Sequence, residues 1–399
     1  MDPKYICLVT VHGVGFMQPP INGTPGYADG LHQHLSKYLD EHLLGDDPKR
    51  QRNQRGQNGP IYVQSYWPPG SSSIEPALTR LGAWGNERAK IIDISRAPLG
   101  EGKARIVHIA LVYSRLEGFE PQVGPLLQTT ASAILSLGHY AHILGITRLL
   151  FSDIRAALGN KPQQESDEEI PSLRVRTDST TDQDMNAPPT GLLGTIRQLE
   201  NDVAVYVCHN DRRERVRNFV WEAILRLAYR EDVAGIVINA HSNGTVISFD
   251  FLRDLPPDIA GKVLAFITAG SPLRKYVDLF HWGNEVGNIQ RIKQWKNFWD
   301  PLDPVADPLV PPAGWLRGTQ APPSDQLGLY QFISRDTGVI ERVPIQDIQI
   351  DNIKNSIGGG LQAHNYWDNE PEFVQPLAEI LKDLVNEKFG QEDEKAADV

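Results

Sequence analysis

Residues 234–246, AGIVINAHSNGTV, decide how this chain folds. Apolar strand formers from Val233 to Ile238 run into Ala240-His241-Ser242-Asn243-Gly244, and a helical pattern follows at Val246, Ile247, Phe249 and Leu252. The apolar period changes at that point, so the stretch reads as strand, sharp turn and helix. Ala240 and Gly244 flank Ser242 at two residues' distance and are both small, as a strand and a closely departing helix require. A serine on such a turn stands proud of the sheet, and the next backbone N–H, that of Asn243, points into the same space. The duller reading is that Ser242 only caps the helix, a role serine fills well. A five-residue pattern recurs by chance in many chains, so its weight comes from its surroundings.

Two other segments supply them. Tyr5 to Val11 reads as a buried strand running into His12-Gly13-Val14-Gly15. Gly13 lets the backbone turn, so that the N–H of Val14 can face a developing alkoxide beside that of Asn243. His12 reads as a hydrogen-bonding residue beside this loop, and His241 as a packing or substrate-facing side chain. Late in the chain, Trp295 to Trp299 leads to Asp300-Pro301-Leu302-Asp303-Pro304-Val305, and His364-Asn365-Tyr366-Trp367 follows. Asp300, Asp303 and Asp307 compete as the acid; each could equally form a turn before proline. His364 competes with His281, but follows the acid at a comfortable distance and precedes a closing helix. Ser271, in Gly270-Ser271-Pro272, reads as a turn residue after a strand from Val263 to Ala269.

With these pieces in place, the sequence resembles the α/β-hydrolase superfamily, particularly its lipase- and esterase-like members. The matching residues are VHGVG at 11–15, NAHSNGT at 239–245, ITAGSPL at 267–273, Asp303-Pro304-Val305, and His364. They cover the first strand and roughly the last 170 residues; the middle has no matching motif. The resemblance implies a mostly parallel central sheet flanked by helices, Ser242 as nucleophile, Asp303 as acid and His364 as base. It further implies Val14 and Asn243 as oxyanion donors, with His12, Gly13 and His241 lining the substrate side. Ala240 departs from the glycine of the pattern, but the position demands smallness rather than glycine itself.

The chemistry explains these residue types. A serine hydroxyl needs a hydrogen-bonded imidazole to take its proton, and a carboxylate on the other ring nitrogen fixes the tautomer. The expected reaction is cleavage of a carboxylic ester, from a small molecule or a lipid, through an acyl-enzyme. It requires no metal and no organic cofactor. A thioesterase, amidase or acyltransferase would use the same residues. The rival from another class is a catalytically silent relative serving as a binding or scaffold protein.

Length and charge agree with this reading. A chain of 399 residues suits one α/β domain with sizeable insertions. A net charge of −11 without a basic stripe argues against nucleic acid as a partner. Cys7 and Cys208 both sit in apolar runs and look like small core residues. The chain enters a strand almost at once, without a basic-then-apolar leader, which makes the cytoplasm the expected setting.

The remaining segments set the expected boundaries. Residues 1–70 and 201–385 are expected to form the core, 71–200 a mainly helical cap insertion, and 386–399 a disordered acidic tail. Tyr27 to Leu44 reads as a helix, and His32 and His34, two apart on it, face different ways. Ile61 to Trp67 looks like a further strand, and Ile106 to Tyr113 gives an apolar run of similar length. Asp202 to Val207 is a strand-like or buried apolar run, Val216 to Tyr229 reads as a helix, and 329–343 as a hairpin about Asp336-Thr337-Gly338. From Pro121 to Thr147 there is no Lys, Arg, Asp or Glu, and Leu126, Leu127, Ile134, Leu135 and Ile143 give an apolar helical face. The segment is too polar for a confident span. It is either a core helix of the cap or a lid, over 121–151, whose apolar face lines an acyl pocket or touches a lipid surface. Residues 160–190 read as a flexible loop.

Overall fold

Continuous apolar runs such as those of β1 (Tyr5–Val11), β5 (Ile106–Val112) and β7 (Val263–Ala269) are stable only where both faces are covered, and every residue of all three is buried. The computed structural model describes residues 5–13, 26–39, 43–44, 59–66, 75–80, 90–96, 99, 104–113, 210–274, 289, 291–303, 305–310, 331–333, 340–356 and 362–397. Its centre is a nine-stranded sheet ordered β11-β8-β7-β6-β1-β5-β2-β3-β4. The further strands are β2 (Ile61–Tyr66), β3 (Glu75–Arg80), β4 (Lys90–Asp93), β6 (Val233–His241), β8 (Gln294–Trp299) and β11 (Ile345–Gln349). From β11 to β2 every pairing is parallel, whereas β3 and β4 pair antiparallel at one edge. The chain is therefore of the α/β class. A separate antiparallel pair, β9 (Gln331–Ile333) and β10 (Ile340–Arg342), supplies the two strands of the expected hairpin, whose turn lies outside the described residues.

Alternation along β1 divides the core into two layers. Cys7, Val9 and Val11 pack with side chains of α2 (Asn210–Ala228) and α3 (Asn243–Asp254), such as Phe219, Ile224, Val246 and Phe249. Ile6 and Leu8 pack on the other face with Leu31 and Leu35 of α1 (Asp29–Leu35) and Leu377, Leu381 and Leu384 of α6 (Gln375–Ala397). Two short helices, α4 (Pro257–Ala260) and α5 (Asn352–Asn355), lie in the connections. Burial pushes the Cys7 thiol up to about 12, so it behaves as a small core residue.

Three boundaries differ from the sequence reading. An insertion beginning at 71 is incorrect, because β3, β4 and β5 fall within 71–200 and β5 lies between β1 and β2. An apolar run with both faces to cover belongs inside a parallel sheet rather than in a cap. The helix expected over Tyr27 to Leu44 ends at Leu35, where Ser36 Oγ donates to Gln33 O and i→i+3 bonds tighten the next turn. Leu44 instead bridges to Ile106. The tail expected to be disordered from 386 continues α6 to Ala397, for two reasons. Its Glu, Lys, Gln and Ala are strong helix formers, and Phe389 is buried with the Arg105 guanidinium 4.5 Å above its ring.

His32 and His34 do face apart: His32 stacks on the buried His108, while His34 Nδ1 lies 2.6 Å from Glu370 Oε1. The apolar segment 121–151, the loop 160–190, the run at 202–207 and all of the expected cap beyond Tyr113 lie outside the described residues. Among the described residues, no helix is long and apolar enough to cross a membrane.

Candidate active site

The parallel strands β1, β6, β7, β8 and β11 all end on one side of the sheet, and the expected site residues are drawn from their ends and the segments that follow them. At the end of β6, Ser242 has φ 55° and ψ −133°, and it is the non-glycine residue with positive φ among those described. An L side chain in that conformation is strained by roughly 1–3 kcal/mol. Its surroundings hold it there. Ser242 N–H donates to Ala269 O at 3.0 Å, while Ser242 O accepts from Thr245 N at 3.0 Å and Thr245 Oγ1 at 2.7 Å. The Ser242 side chain makes no capping bond to α3, so the helix-cap reading fails. Ser271 is buried behind this turn, with its Oγ 2.9 Å from Thr245 Oγ1.

Close approach explains the small residues. A Cβ at position 244 would stand 2.3 Å from His12 O and 2.5 Å from Val11 O, both backbone atoms. A Cβ at position 13 would stand 2.4 Å from Ser242 Cβ, 2.8 Å from its Oγ and 3.4 Å from Asn243 N. Gly13 therefore lies directly against the hydroxyl and against the first N–H of α3, where the helix dipole favours negative charge. Val14, expected as the second oxyanion donor, lies outside the described residues.

Of the three candidate acids, the structure brings Asp303 to His364: His364 Nδ1 stands 2.7 Å from Asp303 Oδ2. Asp303 Oδ1 accepts Val305 N–H at 2.9 Å, and Tyr366 Oη donates to Oδ2 at 2.9 Å. Asp300 is engaged elsewhere, its oxygens accepting from Leu302 N and Asn352 N, each at 2.7 Å. Burial pushes the Asp300 carboxyl up to about 6 against the pull of those two N–H bonds, with the Asp303 charge adding to the rise. Asp307 contributes main-chain bonds, its N–H to Ser271 O and its O to Asn297 Nδ2.

His364 sits in a single 3₁₀ turn, Gln362–His364, rather than on an open loop. Gly270 makes room for it: φ there is +61°, and a Cβ would stand 2.7 Å from His364 Cε1 and 2.9 Å from both Nδ1 and Tyr366 Cε2. The outer nitrogen, Nε2, is buried without a hydrogen-bond partner among the described residues, and none joins it to Ser242 Oγ. In unliganded sites such bonds are often absent and form when substrate arrives.

Two more imidazoles crowd this end of the sheet. The His241 ring centroid lies 4.5 Å from that of His364, and His241 Nε2 stands 3.0 Å from His364 O. His12 stacks on Tyr113 at 4.4 Å and meets the edge of Tyr27 at 4.5 Å, while Tyr113 Oη donates to His12 O at 2.8 Å. Its Nδ1 pairs with Gly13 O. Burial lowers His12 to about 3 and takes His241 well below the usual imidazole range, helped there by the neighbouring His364. Both are neutral near pH 7 and add no charge beside Ser242.

Three participants, Tyr366, Tyr113 and Asn352, are not singled out by the sequence. Tyr366 was quoted beside His364 without a role, and Tyr113 only as the end of a strand. Asn352 donates from Nδ2 to Ala363 O at 2.7 Å and accepts from Asn369 Nδ2 at 2.9 Å, so it anchors the turn that carries His364. Asp300, considered only as an alternative acid, holds the N–H of Asn352. Comparison of the chain with protein-family models, with characterised proteins and with solved structures finds no significant match to any of them.

Proposed function

We propose that this chain is a serine hydrolase of the α/β-hydrolase type, cleaving a carboxylic ester through an acyl-enzyme on Ser242. The observation that carries the reading is the backbone of Ser242, φ 55° and ψ −133°, at a strand-to-helix turn pressed against Gly13. Strain of that kind at a residue that caps nothing is expected where the side chain must be aimed.

In the proposed reaction, the Nδ1–H of His364 donates to Asp303, which leaves the lone pair on Nε2. Nε2 takes the proton of Ser242 Oγ as that oxygen attacks the ester carbonyl, and returns it to the leaving alkoxide. Asn243 N–H, at the first turn of α3, stabilises the alkoxide of the tetrahedral intermediate, with Val14 as its expected partner. Water then repeats the sequence to release the acid. A medium-to-long acyl group is proposed from the apolar run at 121–151.

A fluorophosphonate probe tests the reaction directly. Labelling is expected in the native chain and in Ser271→Ala, and is expected to vanish in Ser242→Ala. A folded native chain that never labels would instead favour the scaffold reading. A series of p-nitrophenyl esters tests the acyl group, and a preference for acetate over octanoate would count against the long chain.

A further inference from the structure

The oxygen of Asp303 that meets His364 has a second donor, and the main chain dictates its direction. Tyr366 Oη lies 2.9 Å from Asp300 N and 2.9 Å from Asp303 Oδ2. An amide N–H can only donate, so the phenol accepts from Asp300 and its single proton must go to the carboxylate. Tyr366 is fully buried, and Gly270 is stripped of a Cβ exactly where one would strike both its ring and that of His364. With Val305 N–H on Oδ1, every donor needed to fix the carboxylate plane is supplied by the fold rather than by solvent.

We infer that Tyr366 is a positioning residue that holds the Asp303 carboxylate in the orientation His364 requires, an inference that rests on the proposed hydrolase reading. Burial, reinforced by the charge of Asp303, raises the phenol well above its ordinary range, so the proton it donates is retained throughout the neutral range. Removing the hydroxyl leaves Oδ2 without its second donor, with Val305 N–H still on Oδ1, and so loosens the carboxylate's hold on the imidazole. It also leaves the Asp300 N–H without its acceptor.

The test measures the rate and the saturation of fluorophosphonate labelling in the full chain. Tyr366→Phe is expected to slow labelling at saturation about tenfold while half-saturation stays unchanged. In an Asp303→Asn background the same replacement is expected to cost nothing further, since coupled residues are not additive. Tyr366→4-aminophenylalanine keeps a ring and a donor, and is expected to label within about threefold of the native chain. Equal losses in the two backgrounds, or native labelling in Tyr366→Phe, would overturn the inference. If the phenylalanine chain does not fold, the aminophenylalanine chain decides alone: a loss of about tenfold or more there overturns it. Failure of the native chain to label defeats the hydrolase reading itself, and is recognised before any Tyr366 variant is compared.

Discussion

Ser242 carries the clearest conflict between local preference and the proposed function. Its positive φ is disfavoured for any residue with a Cβ, yet the bonds from Thr245 and to Ala269 O hold it. Ser242→Gly is therefore expected to raise stability by about 1 kcal/mol, after the greater freedom of glycine in the unfolded chain is offset, while abolishing probe labelling. Urea unfolding and labelling of the same preparation check both halves. The site was legible in sequence to the extent that it depends on nearest neighbours. Small residues at 240 and 244 and glycine at 13 follow from backbone contact, which a short motif records. Tyr366 was not legible, because its two bonds reach the end of β8 and the turn beyond it, and no local pattern couples those segments.

At the scale of elements, His364, the proposed base, is placed by a chain of bonds running from β8 through α5 to the 3₁₀ turn. Asp300 receives Asn352 N–H, and Asn352 in turn holds Ala363 O. The raised carboxyl of Asp300 makes this link sensitive to pH. A folded value of about 6 against an ordinary 3.8 stabilises the fold most below the unfolded value, and the contribution fades as pH rises through 6. The difference amounts to about 3 kcal/mol. Asp300→Asn removes this dependence. Its stability relative to the native chain should improve by about 2 kcal/mol between roughly pH 4 and pH 7, as read from urea midpoints. A constant gap would show that Asp300 ionises normally in the fold.

For the whole molecule, the doubly covered strands were legible because burial on both faces leaves uninterrupted apolar runs, as in β1, β5 and β7. The insertion boundary at 71 was misjudged because an absence of motif was read as an absence of core. The end of α6 was misjudged because acidic composition was weighed above one buried aromatic. Phe389→Ala tests that last point. It should cost about 3 kcal/mol of unfolding free energy, far more than an exposed tail residue could.

The position of β1 has a consequence for how the protein is made. It leaves the ribosome before either of its two neighbours, which begin at Ile106 and Val233. A ribosome adding about 5–20 residues per second spends ten seconds or more before the second of them exists. Until β5 is made β1 has neither neighbour, and until β6 follows it has only one. A nascent chain therefore holds a buried strand with an open edge until β6 follows, a state prone to aggregation while synthesis continues.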